Sequence, residues 1–139
     1  VIGEWCNLGA DTNNSNLKNN YSDVQIYNYA SGKMVNTGLK FCGLFMGDHS
    51  KCGINTMFNT GTVVGVSSNI FGAGFPPKFI PSFTWGGFEE SPKFRIEKAT
   101  ELAGQVFKRR GMDFDSTEEA ILNAIFNMTE STPESGSEK

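Results

Sequence analysis

The feature that most constrains this chain is a six-residue spacing of apolar side chains near its centre. Steps of six from Met46 reach further apolar residues, and the residue four places after each is small. The apolar series is Met46, Cys52, Phe58, Val64 and Ile70, and the small series is Ser50, Thr56, Thr62, Ser68 and Gly74. Strands of an ordinary antiparallel sheet alternate with a period of two. A longer fixed period is typical of repeat architectures.

The spacing predicts a mainly β fold, a parallel β-helix built from hexapeptide repeats. In such a fold the apolar side chain fills the interior, the small residue fits the narrowing corner, and Gly or Asn accepts the turn dihedrals. The same spacing opens the chain at Ile2 and Leu8. An antiparallel sandwich rich in glycine is the alternative, but it gives no reason for steps of six.

Asparagine is concentrated in the first half, where 11 of 13 Asn residues precede residue 70. Five of them form a dense group, which we interpret as a corner ladder whose amides satisfy turn backbone. Substrate binding is the alternative for this group. Its members are Asn13, Asn14, Asn16, Asn19 and Asn20.

Three parts are predicted along the chain. Residues 1–87 form the β-helix, with a hairpin-like loop inserted at about 20–44 and a capping segment at 76–87 that is rich in Pro and aromatic residues. Residues 88–130 form a helical extension, and the polar residues 131–139 form a disordered tail. Because the repeat begins at residue 1 without a cap, we expect the chain to be the C-terminal portion of a longer protein.

Two helices are predicted in the extension. The first carries an apolar stripe at helical spacing and ends near Gly111. The second begins with a capping box at Ser116–Glu119. The first stripe is Ile96, Ala99, Leu102, Ala103, Val106 and Phe107, and the second is Ile121, Ala124, Ile125 and Met128.

Composition excludes several classes of partner and site. The formal charge is −3, with 12 Lys and Arg against 15 Asp and Glu, so no basic field attracts nucleic acid. No apolar run approaches the roughly 20 residues that cross a bilayer, and the start lacks signal-peptide features, so we expect a cytoplasmic protein without a membrane partner. Cys6, Cys42 and Cys52 lack the spacing of a disulfide framework or zinc site, so no metal is expected.

Two segments, Gly47–Gly65 and Phe79–Gly87, resemble the C-terminal region of sugar-1-phosphate nucleotidyltransferases. These are relatives of the bifunctional N-acetylglucosamine-1-phosphate uridyltransferase and glucosamine-1-phosphate acetyltransferase, and some are labelled glucose-1-phosphate thymidylyltransferases. The resemblance implies a left-handed parallel β-helix that forms a homotrimer and binds acetyl-CoA between subunits. It also implies that the amino group of a sugar 1-phosphate attacks the thioester, assisted by a general base.

The resemblance also implies the positions of the binding residues. The family's Asn-Tyr-Asp segment falls either on Asn16 and Lys18 or, with a short insertion, on Asn20 and Tyr21. These four residues are the candidates for binding substrate and acetyl-CoA. The family's catalytic histidine would lie upstream of Val1, and His49, the sole histidine here, is the other candidate base.

Two functions follow. The first is acetyl transfer from acetyl-CoA to an amino-sugar 1-phosphate in nucleotide-sugar synthesis. The second is a non-catalytic trimerisation or regulatory domain for a nucleotidyltransferase domain that this chain does not include. The altered Asn-Tyr-Asp segment favours the second function for this chain alone.

Overall fold

The computed structural model describes residues 1–88 and 91–131, in which short strands precede two helices. The strands are β1 (Asn7–Leu8), β2 (Asn13–Asn14), β3 (Gln25–Asn28), β4 (Lys33–Asn36), β5 (Phe45–Met46), β6 (Lys51–Cys52), β7 (Met57–Phe58), β8 (Val63–Val64), β9 (Asn69–Ile70), β10 (Phe79–Ile80) and β11 (Trp85–Gly86), and the helices are α1 (Ile96–Arg109) and α2 (Ser116–Ser131). The predicted tail lies outside the described residues beyond Ser131.

The strands form four small sheets, and most neighbours are parallel. The largest has the order β1-β6-β9-β11, a second has the order β10-β8-β5, and a third pairs β2 with β7. The fourth is the antiparallel hairpin β3-β4 within the predicted inserted loop. The predicted capping segment contributes β10 and β11, which each lie at an edge of a sheet.

The predicted left-handed parallel β-helix is wrong. The described strands divide into separate small sheets rather than one continuous solenoid. In the largest sheet Cys52 pairs with Leu8 on one side and with Ile70 on the other. The segment that connects Leu8 to Cys52 is more than twice as long as the segment that connects Cys52 to Ile70. A repeat array needs each unit to stack on the one before it. The inserted hairpin prevents that regularity.

The apolar positions of the six-residue spacing nevertheless form the core. Met46, Cys52, Phe58, Val64 and Ile70 are all buried and pack in one cluster with Leu44 and Ile80. Apart from the exposed Gly74, the small positions are buried hydroxyls that bond to backbone carbonyls. Examples are Thr56 to Gly53 O at 2.8 Å and Thr62 to Asn59 O at 2.8 Å. The spacing therefore encodes burial and turn hydrogen bonds.

The turns between strands stack in columns held by backbone hydrogen bonds. In one column four residues have positive φ, and His49 N, Ser67 N and Phe83 N each donate at 2.9 Å to a carbonyl one layer away. We call this the helix-covered column, because α1 and α2 pack on it; its members are Trp5, His49, Ser67 and Phe83.

A second column carries no helix or hairpin in the described chain. Asp11 and Asn55 have φ values of 61° and 58°, and Asn55 N donates to Ala10 O at 2.9 Å. We call it the open column. Asn55 is its only asparagine, and no member of the predicted Asn ladder has positive φ, since Asn13 and Asn14 form β2. Two of these amides do bond to backbone, since Asn13 Nδ2 donates to Asp11 O at 3.3 Å and Asn20 Oδ1 accepts from Ser22 N at 3.1 Å, and the stacked ladder itself stays a prediction.

The hairpin β3-β4 covers the third set of turns. Gly61 has a φ of 66°, and a Cβ there would lie 2.4 Å from Gln25 O, so only glycine fits beneath the hairpin. Tyr27 stacks on Phe79 with ring centroids 3.5 Å apart and planes 11° apart. The inserted segment is thus packed against the sheets.

Helix α1 buries the predicted face, whereas helix α2 buries a different one. In α1 the buried residues Ala99, Ala103 and Phe107 belong to the predicted stripe. In α2 the buried residue is Leu122, whereas Ile121 and Met128 of the predicted stripe are 49% and 68% exposed. The helix also begins differently, because Asp115 Oδ1 accepts hydrogen bonds from Thr117 N and Glu118 N. Asp115 is therefore the N-cap that the predicted capping box did not include.

Candidate functional site

The predicted substrate residues lie in a compact loop that follows β2. Lys18 Nζ donates to Asp23 O at 2.7 Å, and Tyr21 N donates to Lys18 O at 2.9 Å. Asn20 Oδ1 accepts from Ser22 N at 3.1 Å and from Ser22 Oγ at 2.9 Å. Lys18 and Asn20 therefore stabilise their own loop through these bonds.

The other two candidates are more accessible. Asn16 is exposed, and its carbonyl accepts from Cys42 N at 2.8 Å, which ties the loop to the strand region after the hairpin. Tyr21 is 67% exposed and has a φ of 55°. The loop thus holds Lys18, Asn20 and Tyr21 on one turn, with Asn16 at its start. Their assignment to substrate or acetyl-CoA stays a prediction.

A residue far away in sequence adds a second positive charge near this loop. Burial, and then the charge of Lys18, hold the pKa of Lys78 below its ordinary value. Lys78 Nζ also lies 3.4 Å from Thr60 Oγ1. Neither lysine takes part in a salt bridge within the described part of the chain. The Asp23 carboxylate is also near, because its pKa is lowered first by Lys40 and to a smaller extent by Lys18. Ammonium groups can bind a phosphate group as point charges.

His49 lies beneath α1 as one ring of an aromatic cluster. It is 7% exposed, and its ring is nearly parallel to those of Trp5 and Phe107, with centroids 6.4 Å and 6.1 Å away. Its Nδ1 is buried and has no hydrogen-bond partner, a loss of about 1–3 kcal/mol. The described geometry therefore gives His49 a packing role.

The surroundings of His49 favour the neutral form of its imidazole ring. Burial, and then the charge of Lys51, lower the pKa of His49, whereas Asp48 raises it. Burial also lowers the pKa of Lys51, whose Nζ donates to His49 O at 2.8 Å, and raises the pKa of the Cys6 thiol. A thiol with a raised pKa is a poor nucleophile at neutral pH.

Residues 1–88 and 91–131 contain no cluster of side chains suited to binding a metal ion. Within them, no group of three or more His, Cys, Asp or Glu side chains could hold a metal ion. All three cysteines are unpaired. None of the helices described there combines the length and apolar character needed to cross a bilayer.

Sequence reasoning missed how the fold places four residues in these sites. Lys78 lies near Lys18 although the two are distant in the chain. Asn69 and Trp85 are direct neighbours across β9 and β11, and Lys51 is the neighbour of Asn69 on the other side. Lys51, Asn69 and Trp85 each come directly before an inward position of a strand. Aligning the strands across the inserted hairpin would have placed them in one row.

Comparison with known proteins adds no family to these observations. Neither a protein-family model nor a curated protein matches the chain. The functional interpretation therefore depends on the geometry of the described residues and on the resemblance stated above.

Proposed function

We propose that this chain is a non-catalytic assembly module that associates with further copies of itself through the open column. The carrying observation is the difference in exposure between the turn columns. Three apolar side chains beside the open column are exposed: Ile54 is 70% exposed, Phe75 61% and Phe71 45%. On the helix-covered column Phe83 is 1% exposed. Adjacent exposed apolar side chains are typical of a protein interface.

The open side offers both a protruding residue and a groove. Ile54 projects from the turn that also contains Asn55. A groove of about 720 Å³ lies close by, lined by Phe71, Phe75 and Phe88 among others. Burying a side chain such as Ile54 contributes about 1.5–3 kcal/mol. The aromatic part of the groove and Ile54 are thus complementary in polarity.

A contact between Ile54 of one copy and the groove of the next joins two different surfaces. Such head-to-tail contacts close into a ring when the rotation between copies permits it. The ring implied by the resemblance is a trimer, and we adopt that number. The module would arrange the nucleotidyltransferase domains of a longer protein around one axis.

Sedimentation equilibrium tests this function. We expect the unaltered chain to have three times the 15.2 kDa chain mass, and Ile54→Asp to have the monomer mass because a carboxylate in an apolar groove is unfavourable. Leu39→Asp is the matched control, since Leu39 is 55% exposed in a loop away from the open column. A monomeric unaltered chain, or an Ile54→Asp variant that stays trimeric, would contradict the proposal.

A second candidate is acetyl transfer from acetyl-CoA to an amino-sugar 1-phosphate. The observation in its favour is the pair Lys18 and Lys78, which could bind the phosphates of either compound. Asn16, Asn20 and Tyr21 lie on the same loop and could orient the ligand through amide and hydroxyl groups.

Calorimetric titration with acetyl-CoA tests the second candidate, followed by an acetyl-transfer assay with glucosamine 1-phosphate. Removing the ammonium group in Lys78→Ala is expected to weaken binding roughly tenfold. Lys33→Ala, on the exposed strand β4, should leave affinity unchanged. Absence of acetyl-CoA binding would reject acetyl transfer without affecting the assembly function.

The cytoplasm is the compartment we propose for this module. Three unpaired cysteines, two of them buried, suit a reducing environment. The formal charge of −3 supports a role without nucleic acid.

A further inference from the structure

A cavity of about 460 Å³ lies between α1 and the outer face of the largest sheet. Trp85 and Asn69 contribute from the sheet, Phe94 from the segment before α1, and Lys98, Leu102 and Gln105 from α1. Its size falls within the range of small-molecule sites. The cavity lies on the largest sheet, whereas Lys78 comes just before β10, which belongs to another sheet. Trp85 lines both this cavity and the groove beside the open column, and the other lining residues of the two differ.

The apolar part of the cavity presents a flat, oriented aromatic surface. Trp85 is 41% exposed, although it is held by two other rings. Phe94 lies against it with centroids 4.9 Å apart and planes tilted by 33°, and Phe71 meets it edge-on at 5.3 Å. An indole fixed in this way can stack on a planar ring.

The polar part of the cavity contains a buried donor without an acceptor. Asn69 Nδ2 is buried and has no hydrogen-bond partner among the described residues. Asn69 is the neighbour of Trp85 across the parallel strands, so the Cα atoms of the two residues lie roughly 5 Å apart. A ring that stacks on Trp85 and carries an acceptor at its edge would satisfy this donor.

Lys51, which does not itself line the cavity, lies one strand further along the same row. Lys51 is the neighbour of Asn69 on the side opposite Trp85, so Lys51 and Trp85 are separated by about 10 Å across the sheet. Lys51 Nζ donates to His49 O, and Lys51 takes part in no salt bridge within the described chain. At the other edge of the cavity, Lys98 and Glu101 are paired at 2.8 Å and so neutralise each other.

We propose that this cavity binds a mononucleotide. The base stacks on Trp85 and accepts a hydrogen bond from Asn69, and the phosphate lies toward Lys51. The backbone order of Trp85, Asn69 and Lys51 along one row matches the order of base, base edge and phosphate in a nucleoside monophosphate. This binding site is independent of the assembly function, because it needs only one copy of the chain.

Calorimetric titration with adenosine 5′-monophosphate and uridine 5′-monophosphate tests the proposal, with adenosine and ribose 5-phosphate as partial ligands. We expect at least one mononucleotide to bind saturably and more tightly than either partial ligand. Trp85→Ala should weaken binding roughly 5- to 150-fold, the range for loss of one stacked base. Lys51→Met should reduce mononucleotide affinity roughly tenfold and leave adenosine affinity unchanged.

Further variants separate loss of the site from loss of the fold. Leu102→Trp fills the cavity from α1 and should abolish binding while thermal unfolding stays cooperative. Phe41→Ala, at a 64% exposed position outside both the cavity and the groove, is the matched aromatic control and should bind normally. The proposal is overturned if neither mononucleotide binds, if ribose 5-phosphate binds as tightly as the mononucleotide, or if Leu102→Trp leaves binding intact.

Discussion

The helix-covered column and the open column use the same backbone turn in opposite surroundings. Both place non-glycine residues at positive φ and hold them by hydrogen bonds to a neighbouring layer. On the first, Phe83 packs with Ala99, Ala103 and Leu122 of the helices. Beside the second, Ile54 is 70% exposed. The comparison shows that the turn forms whether or not helices pack on it. Exposed apolar residues at a turn without a helix therefore indicate a surface that binds a partner.

The largest difference between the columns should appear when an aromatic ring is removed from each. Phe83→Ala is expected to lower the free energy of unfolding by about 3–5 kcal/mol, because a 1% exposed ring leaves a cavity. Phe71→Ala, at a 45% exposed position, should cost less than about 1 kcal/mol in the dissociated chain. Urea unfolding at low protein concentration measures both, and equal losses would remove the distinction between the columns.

The helical cover can be tested at two adjacent residues of α2. Leu122→Ala should cost about 2–5 kcal/mol because Leu122 is 2% exposed and packs near Phe83. Ile121→Ala, at a 49% exposed position, should change stability by less than about 1 kcal/mol. Thermal or urea unfolding of the pair decides which face of α2 is buried. A larger loss at Ile121 would favour the face predicted from sequence.

Acid should weaken the helix-covered column through His49. Burial lowers its pKa in the folded state, so as pH falls below about 6.5 the unfolded chain binds the proton first. This contribution to stability is complete above pH 6.5 and is lost as pH falls toward and through the folded-state pKa. Comparing urea unfolding at pH 7.5 and 5.5 should show a drop that His49→Gln reduces. A drop of equal size in the variant would assign it to other groups.

The smallest expected effect concerns the start of the covering helix. Asp115 Oδ1 accepts hydrogen bonds from Thr117 N at 2.9 Å and Glu118 N at 3.0 Å. Asp115→Ala should therefore cost about 1 kcal/mol. Asp113→Ala, two residues earlier and also exposed, is the control and should be close to neutral. Circular dichroism during urea unfolding measures both changes, and an equal effect of the two would contradict the assignment of the cap.

The sequence predicted burial better than it predicted arrangement. Steps of six identified Met46, Cys52, Phe58, Val64 and Ile70 as core residues because burial is a local pattern. The pairing of β1 with β6 spans the inserted hairpin and depends on long-range contacts, which the spacing does not encode. The regular repeat architecture was therefore overpredicted.

The second helix and the candidate sites show the same limit. Leu122, Ile125 and Phe126 fit helical spacing as well as the predicted stripe does, and tertiary packing decides between the faces. Lys18 was predicted, but its neighbour Lys78 comes from a segment whose composition indicated only a cap. The row of Lys51, Asn69 and Trp85 needs the parallel register, which the sequence alone did not supply.

Methyl NMR on a mixed sample tests the assembly role of the open column most directly. Chains labelled at isoleucine methyl groups are combined with unlabelled copies, and nuclear Overhauser effects between copies are selected. We predict that the Ile54 methyl contacts aromatic protons of another copy and that Ile121, 49% exposed on α2, does not. Contacts between copies at Ile121 instead of Ile54, or none at either residue, would contradict this role.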